Sequence, residues 1–242
     1  MNTQETLNAI IDTQNKRLFR FQKSMFCVEL EYQLKQAGYN AILTRDKYNG
    51  IVYQSLIIGD VKQSKQLLIT HYDTPSFFIS LFKYKSFDMD YRKKLTVLND
   101  ILKGMLVTAI VSSVLYFLIK NILAGNNVLL FSILSLILFL LSVLFIRLPG
   151  FIPSSKYSNN QSIKKVIEEY INHPDDVSII LVEDGCGHQM GYQMISQSLK
   201  KWMNNKSFEI YDQSYDSMST LPNNTILNYF KDEKVKLVTI DN

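Results

Sequence analysis

The sequence predicts an α/β fold, a three-layer α/β/α domain interrupted by a hairpin of two transmembrane helices. Three observations lead to this prediction. Apolar runs typical of buried strands recur along the chain, and the clearest are Leu67–Thr70 and Val177–Val182. Segments with helical spacing of apolar residues accompany them. One dense apolar block, from Met105 to Ile146, divides these segments into two groups.

The dense block sets the predicted domain organisation. We expect residues 1–90 and 150–242 to form the two parts of one cytoplasmic α/β domain. Between them, residues 101–148 form the hairpin, with helices at about 104–124 and 127–147. A chain of 242 residues is long enough for one domain of ordinary size and an insertion.

The first group of segments begins with helical periodicity from about Thr3 to Ala37, and Gly38 is a suitable residue to end that helix. A short strand is predicted at Ala41–Leu43. A turn at Tyr48-Asn49-Gly50 leads to a second strand, Ile51–Ile58, and the run QLLITHYDTP supplies the third.

The dense block reads as two spans because each half can cross about 30 Å of hydrocarbon as a helix. Val128–Ile146 carries no charge, and a buried pair of core helices is the alternative. Before it, Ser76–Asp100 mixes aromatic and basic residues, as an interfacial segment or a solvated linker would. Lysines and arginines on both outer flanks outnumber the single Lys120 of the loop, so the positive-inside rule puts both termini in the cytoplasm of a cell-membrane protein.

The second group has helical patterns at Gln161–Asn172 and Gln189–Met203, and strand patterns at Phe208–Tyr211 and Val235–Ile240. The net charge of +4 is mild and lies mainly beside the dense block, which favours a lipid bilayer as partner and gives no sign of nucleic-acid binding. The two cysteines, Cys27 and Cys186, are far apart and are expected to be reduced thiols.

Polar side chains follow three predicted strands. His71 and Asp73 end the third strand, Glu183 and Asp184 follow Val177–Val182, and Asp212 follows the next strand. In His-x-Asp both side chains point to the same side of an extended chain, so Asp73 can orient the imidazole. Such a set at one sheet edge could hold a divalent metal, with one carboxylate acting on a bound water. The alternatives are a structural histidine and an acidic pair that caps the next helix.

These motifs and their order resemble the co-catalytic zinc exopeptidases, which include secreted bacterial aminopeptidases and glutaminyl cyclases. The resemblance covers roughly residues 25–75 and 155–215 and implies a zinc-aminopeptidase-like domain. By this resemblance His71 and Asp212 are zinc ligands and Asp73 is the carboxylate behind the histidine. Glu183 is then the general base and Asp184 a carboxylate ligand.

The sequence departs from that family at three points. Asn159, in the stretch Ser158-Asn159-Asn160-Gln161-Ser162, occupies the position of the metal-bridging aspartate, and a neutral amide is a poor bridge between two cations. No histidine follows His188, so the last ligand of the family has no counterpart unless His188 replaces it. The hairpin is inserted beside the site. One zinc ion is therefore expected rather than two.

Two functions follow from these residues. The first is a membrane-anchored metal-dependent hydrolase that cleaves a peptide or a small amide. In it His71 and Asp212 would hold one zinc ion together with Asn159 or a water, and Glu183 would deprotonate the attacking water. The second is a catalytically inactive relative that acts as a membrane accessory or binding protein, with a membrane protein as partner. A transporter or channel is disfavoured because the two spans lack charges that would form an ion path.

Overall fold

The computed structural model describes residues 2–17, 19–48, 51–74, 76–77, 89–124, 128–147, 152–153, 159–183, 191–192, 207–213 and 235–240. Its helices are α1 (Thr3–Thr13), α2 (Arg20–Gln36), α3 (Met89–Leu123), α4 (Val128–Arg147) and α5 (Asn160–Asn172). Its strands are β1 (Ala41–Tyr48), β2 (Ile51–Ile58), β3 (Gln66–His71), β4 (Ser76–Phe77), β5 (Ile152–Pro153), β6 (Val177–Val182), β7 (Ser207–Gln213) and β8 (Val235–Ile240).

Six strands form one mixed sheet in the order β1-β2-β6-β3-β7-β8. β3 is parallel to its two neighbours, β6 and β7, and β7 is parallel to β8. β2 is antiparallel to both β1 and β6. The central strands are apolar along most of their length because the parallel part of the sheet is buried on both faces. The predicted α/β class is therefore confirmed.

Two apolar clusters lie on the two faces of this sheet. On one face α1, α2 and α5 pack against the strands through residues such as Leu30, Leu68 and Ile167. The alternate residues of the same strands form the second cluster on the other face, since successive strand residues point to opposite faces. That second cluster contains Ile69 and Phe208 together with Tyr192. The predicted helix 189–203, which would cover this face, lies mostly outside the described residues.

The predicted continuous helix from Thr3 to Ala37 is wrong, because the chain leaves the helical path between α1 and α2. The break surrounds Arg17, whose backbone N–H donates to Thr74 Oγ1 at 3.1 Å and whose carbonyl accepts from the Thr74 N–H at 3.2 Å. A residue inside a helix cannot give both groups to a distant loop, so this contact keeps Arg17 outside α1 and α2. Strand β1 is also longer than predicted and pairs with β2 over its whole length, from Ala41–Ile58 to Tyr48–Ile51. Asn49 and Gly50 of the predicted turn lie outside the described residues.

Helix α3 has 35 residues and begins well before the predicted start near 104. Its segment Val97–Asn121 is long and apolar enough to cross a membrane, and in the described part of the chain it is the helix that meets this criterion. The apolar stretch Leu129–Ser142 of α4 is shorter. The two helices pack against each other, with the rings of Phe117 and Phe131 in an edge-to-face contact at 5.9 Å. Most of their large apolar side chains are exposed, which is unusual for a surface in water.

A second, two-stranded sheet pairs β4 with β5 in antiparallel register, Ser76 with Pro153 and Phe77 with Ile152. This pairing brings the chain before α3 next to the chain after α4. The long insertion therefore leaves and re-enters the fold at nearly the same point.

Candidate functional site at the carboxyl edge of the sheet

Parallel pairing brings the ends of β3, β6 and β7 to one edge of the sheet. His71 is paired with Val182, and Thr70 is paired with Tyr211. Glu183 and Asp212, each one residue further along its strand, therefore lie on either side of the end of β3. The chain passes from β3 to β6 on one side and then to β7 on the other, and such a reversal creates a crevice at the carboxyl ends of the strands.

His71 lies at the centre of the site, and its side chain is only 1% exposed. Its Nδ1 is 3.2 Å from Asp73 Oδ1 and its Nε2 is 3.2 Å from Asp212 Oδ1. Burial by itself would lower the pKa of this ring, but hydrogen bonds to Asp212 and Asp73 outweigh burial and raise the pKa to about 9. The two carboxylates thus favour the ring form that has a proton on each nitrogen.

Both carboxylates are buried with the ring, and the row Asp73–His71–Asp212 forms a connected unit. The exposed fractions of Asp73 and Asp212 are 3% and 1%. The backbone carbonyl of Asp73 also lies 3.2 Å from His71 Nδ1, so both the main chain and the side chain of Asp73 contact this nitrogen. The predicted proximity of His71, Asp73 and Asp212 is thus present in the structure.

Asn159, at the start of α5, binds the end of β3 through its amide nitrogen. Its Nδ2 donates to Thr70 Oγ1 at 2.7 Å and to the carbonyl oxygen of His71 at 2.8 Å. The Thr70 hydroxyl donates in turn to the carbonyl of Tyr211 at 2.9 Å. Since that hydroxyl directs its proton at Tyr211, it must accept from Asn159, and this order of donors fixes which side-chain atom of Asn159 is the nitrogen.

Glu183 follows β6 and is 8% exposed. Its Oε2 accepts the backbone N–H of Gln54 at 2.9 Å, and its Oε1 is 3.4 Å from Lys23 Nζ on α2. The carboxylate is therefore oriented by one strand and one helix. Asp184 and His188, which the sequence also singles out, lie outside the described residues.

Among the described residues, no group of three or more His, Cys, Asp and Glu side chains is arranged to hold a metal ion. The row around His71 supplies a ring nitrogen and carboxylate oxygens, which are the donor types that zinc accepts. Asp184, the further carboxylate that the sequence singles out, lies outside the described residues.

Arg17 is a part of this edge that sequence reasoning missed. The residue is fully buried, and its Nε donates to the carbonyl of Tyr72, while Nη2 donates to Asn160 Oδ1 at 2.6 Å. Its guanidinium also lies over the ring of Phe26, 4.4 Å from the centroid. Arg17 thus joins the loop that follows His71 to the start of α5. The sequence pattern does not single out Arg17, because it lies in a polar stretch of the kind that is usually exposed to solvent.

Comparisons with known proteins give a distant structural likeness. No family model matches the sequence, and no curated protein matches it. Among solved structures, the chain is similar to a glutaminyl cyclase of Porphyromonas gingivalis, at 9% identity and a TM-score of 0.45, over 86% of this chain and 60% of that one. It is also similar to a glutaminyl cyclase of an Acidobacteriales bacterium, at 8% identity and a TM-score of 0.41, over 87% and 57%.

A third similar structure is the Bacteroides thetaiotaomicron glutaminyl cyclase bound to N-acetylhistamine, at 10% identity and a TM-score of 0.39, over 86% of this chain and 61% of that one. The chain spans about 60% of the length of the cyclases that it matches. Chemical conclusions about the site therefore rest on its own geometry.

Proposed function

We propose that the protein is a membrane-anchored, metal-dependent hydrolase of aminopeptidase type, which cleaves a peptide or amide bond with a metal-activated water. Its α/β domain would lie in the cytoplasm. The observation that carries the proposal is the buried row Asp73–His71–Asp212 at the carboxyl edge of the sheet. The exposed apolar surfaces of α3 and α4 support the membrane anchor.

Two atoms of the row are as far apart as two ligands of one zinc ion. Two ligands on a tetrahedral zinc ion, each about 2.0–2.1 Å from the metal, are about 3.3 Å apart. His71 Nε2 and Asp212 Oδ1 are 3.2 Å apart. Asp73 accepts from the other ring nitrogen, as carboxylates behind zinc-bound histidines do. His71 and Asp212 would hold one ion, with Asp184 as a further ligand.

Asn159 fits poorly as a bridge between two ions: its Nδ2 donates to Thr70 and His71, so Oδ1 is the atom that could contact a metal, and a neutral amide oxygen bridges two cations poorly. This favours a single ion. When bound, that ion would polarise both a water molecule and the substrate carbonyl. Binding of the ion would have to displace the proton from Nε2, while Asp73 would hold the proton on Nδ1. Glu183, oriented by Gln54 and Lys23, is the proposed acceptor of the proton from water.

The test is a metal and activity assay on the full chain in detergent. The native protein should carry about one zinc per chain after zinc exposure and dialysis. His71→Ala and Asp212→Ala should lose the metal, whereas His173→Ala, which changes an exposed histidine on the same domain, should keep it. Glu183→Gln should keep the metal and lose hydrolysis of a panel of amino-acid amides.

The inactive relative is a second candidate, favoured by one observation. The candidate base Glu183 is engaged in both a backbone hydrogen bond and an ion pair with Lys23, an arrangement that also serves a structural role. A native protein that stays free of metal after zinc exposure would rule out the hydrolase and leave the accessory or binding function. Unchanged hydrolysis by Glu183→Gln would remove only Glu183 as the base.

A further inference from the structure

Helix α2 crosses the sheet from the site edge to the opposite edge. Its N-terminal end follows Arg17, which is bonded to Thr74 just beyond β3. Its C-terminal end leads into β1, which runs parallel to β3, since both β1 and β6 are antiparallel to β2 and β6 is parallel to β3. A helix of 17 residues is about 25 Å long, so its two ends lie at opposite edges of the sheet.

The apolar insertion leaves and returns at the same edge as the start of α2. Strand β4 begins two residues after Thr74, and β5, its partner, carries the chain back. At the return point Asn159 donates to the His71 carbonyl, and Asn160 accepts from Arg17. The first turn of α2, the candidate site and both ends of the insertion are therefore neighbours at one edge.

The first turn of α2 presents an exposed aromatic and basic group, which we call the α2 tip: Phe19, Arg20 and Phe21. The rings of Phe19 and Phe21 are stacked, with centroids 6.0 Å apart and an angle of 17° between their planes. They are 38% and 62% exposed, and Arg20 between them is exposed as well. Met25, one turn further on, is 62% exposed on the same side of the helix. Aromatic rings with an arginine are favoured at the headgroup level of a bilayer.

We propose that the α2 tip docks on the bilayer interface and holds the site edge of the sheet against the membrane. This inference rests on the membrane anchoring proposed above. The α2 tip contacts the lipid headgroup region, because the apolar helices leave the domain at the same edge of the sheet. The site then faces the bilayer surface, and the opposite edge of the sheet points away from it.

The test measures the depth of single fluorescent labels in the full chain, reconstituted in phosphatidylcholine–phosphatidylglycerol vesicles with a lipid spin-labelled near its headgroup. The background is Cys186→Ser; Cys27 is buried, and burial raises the pKa of its thiol to about 12, so it does not react. Labels go on Met25→Cys beside the tip, on Gln36→Cys at the far end of α2, and on Leu115→Cys within α3.

Strong quenching is expected at positions 115 and 25, and little at position 36. Adding Phe19→Ser and Phe21→Ser should reduce quenching at position 25 several-fold, with the thermal unfolding midpoint as a check on the fold. Quenching at 115 without a difference between 25 and 36 would overturn the docking of the tip. No quenching at 115 would instead overturn the membrane anchor itself. Energy transfer between labels at position 25 of two chains, without lipid quenching, would assign the tip to a second copy and also overturn the proposal.

Discussion

Asn159 donates two hydrogen bonds that an ionised carboxylate could not donate. Its Nδ2 faces the Thr70 hydroxyl and the His71 carbonyl, which are both acceptors in this arrangement. A carboxylate at this position would face two oxygen atoms. The asparagine is therefore suited to the fold that it joins.

We expect Asn159→Asp to lower the free energy of unfolding by about 2 kcal/mol, because it leaves buried acceptors unpaired and adds a buried charge. Urea unfolding in a mild detergent, followed by circular dichroism, measures the difference. Gln63→Glu is the matched control, since it makes the same chemical change on an exposed turn and should have little effect. An Asn159→Asp variant of native stability that binds a second zinc ion would instead identify the position as a metal bridge.

The parts of the site that follow from the sequence are those that a strand positions. His71 and Asp212 were predictable as neighbours because each follows the apolar residues of a strand, and the carboxyl ends of parallel strands lie at one edge of a sheet. The partners of Glu183 were not predictable. Lys23 reaches it from a helix far earlier in the chain, and Gln54 reaches it with a backbone group that no side-chain pattern reveals. Arg17 was missed for the same reason.

At the level of elements, two glycines with positive φ allow the chain to turn at the amino edge of the sheet. Gly38 ends α2 with a φ of +87°, and Gly59 follows β2 with a φ of +89°. Their surroundings differ. No atom lies within 4 Å of a Cβ added at Gly38, whereas a Cβ at Gly59 would meet Ser178 Oγ at 2.8 Å and Tyr170 at 2.9 Å. The Gly59 N–H also donates to the Asn40 carbonyl at 2.8 Å.

This difference makes the two glycines a matched pair. Gly38→Ala should lower the free energy of unfolding by about 1 kcal/mol, the strain of a left-handed backbone alone. Gly59→Ala should lower it by about 3 kcal/mol, because the added methyl group also collides with the α5 and β6 side chains. The same urea experiment measures both. Equal effects would show that α5 moves away from β2 without penalty and that the packing there is loose.

The elements also show how far periodicity predicts structure. It located α5 and the strands β2, β3 and β6, whose apolar residues face the core. The strand predicted from periodicity stops at Leu43 because Thr44-Arg45-Asp46-Lys47 is polar. In the structure these four residues belong to β1 and pair with β2 through backbone groups. Periodicity also merged α1 with α2, since amphipathic spacing continues on both sides of the break that Arg17 makes. In both cases the deciding interactions use backbone groups, which the side-chain pattern does not reveal.

For the molecule as a whole, the pairing of β4 with β5 indicates that the apolar helices are a separable insertion. Phe77 and Ile152 are direct partners in an antiparallel pair, so the chain on either side of the insertion is already in position for a tight hairpin. Within the described residues, the packing of the sheet core involves α1, α2 and α5 and none of the apolar residues of α3 and α4. The sheet domain should thus keep its core when the insertion is removed.

We therefore expect that a variant in which an Asn-Gly turn replaces residues 78–151 will be soluble without detergent and will retain the α/β fold. The reason is that the exposed apolar surface of α3 and α4 is removed, whereas the six-stranded sheet and its helices are kept. Far-ultraviolet circular dichroism and a cooperative thermal transition measure the fold, and centrifugation after detergent removal measures solubility. The full chain, treated identically, is the control and should sediment. A shortened variant that aggregates, or that unfolds without cooperativity, would show that α3 and α4 contribute to the core. The predicted division into one α/β domain and one inserted hairpin would then be wrong.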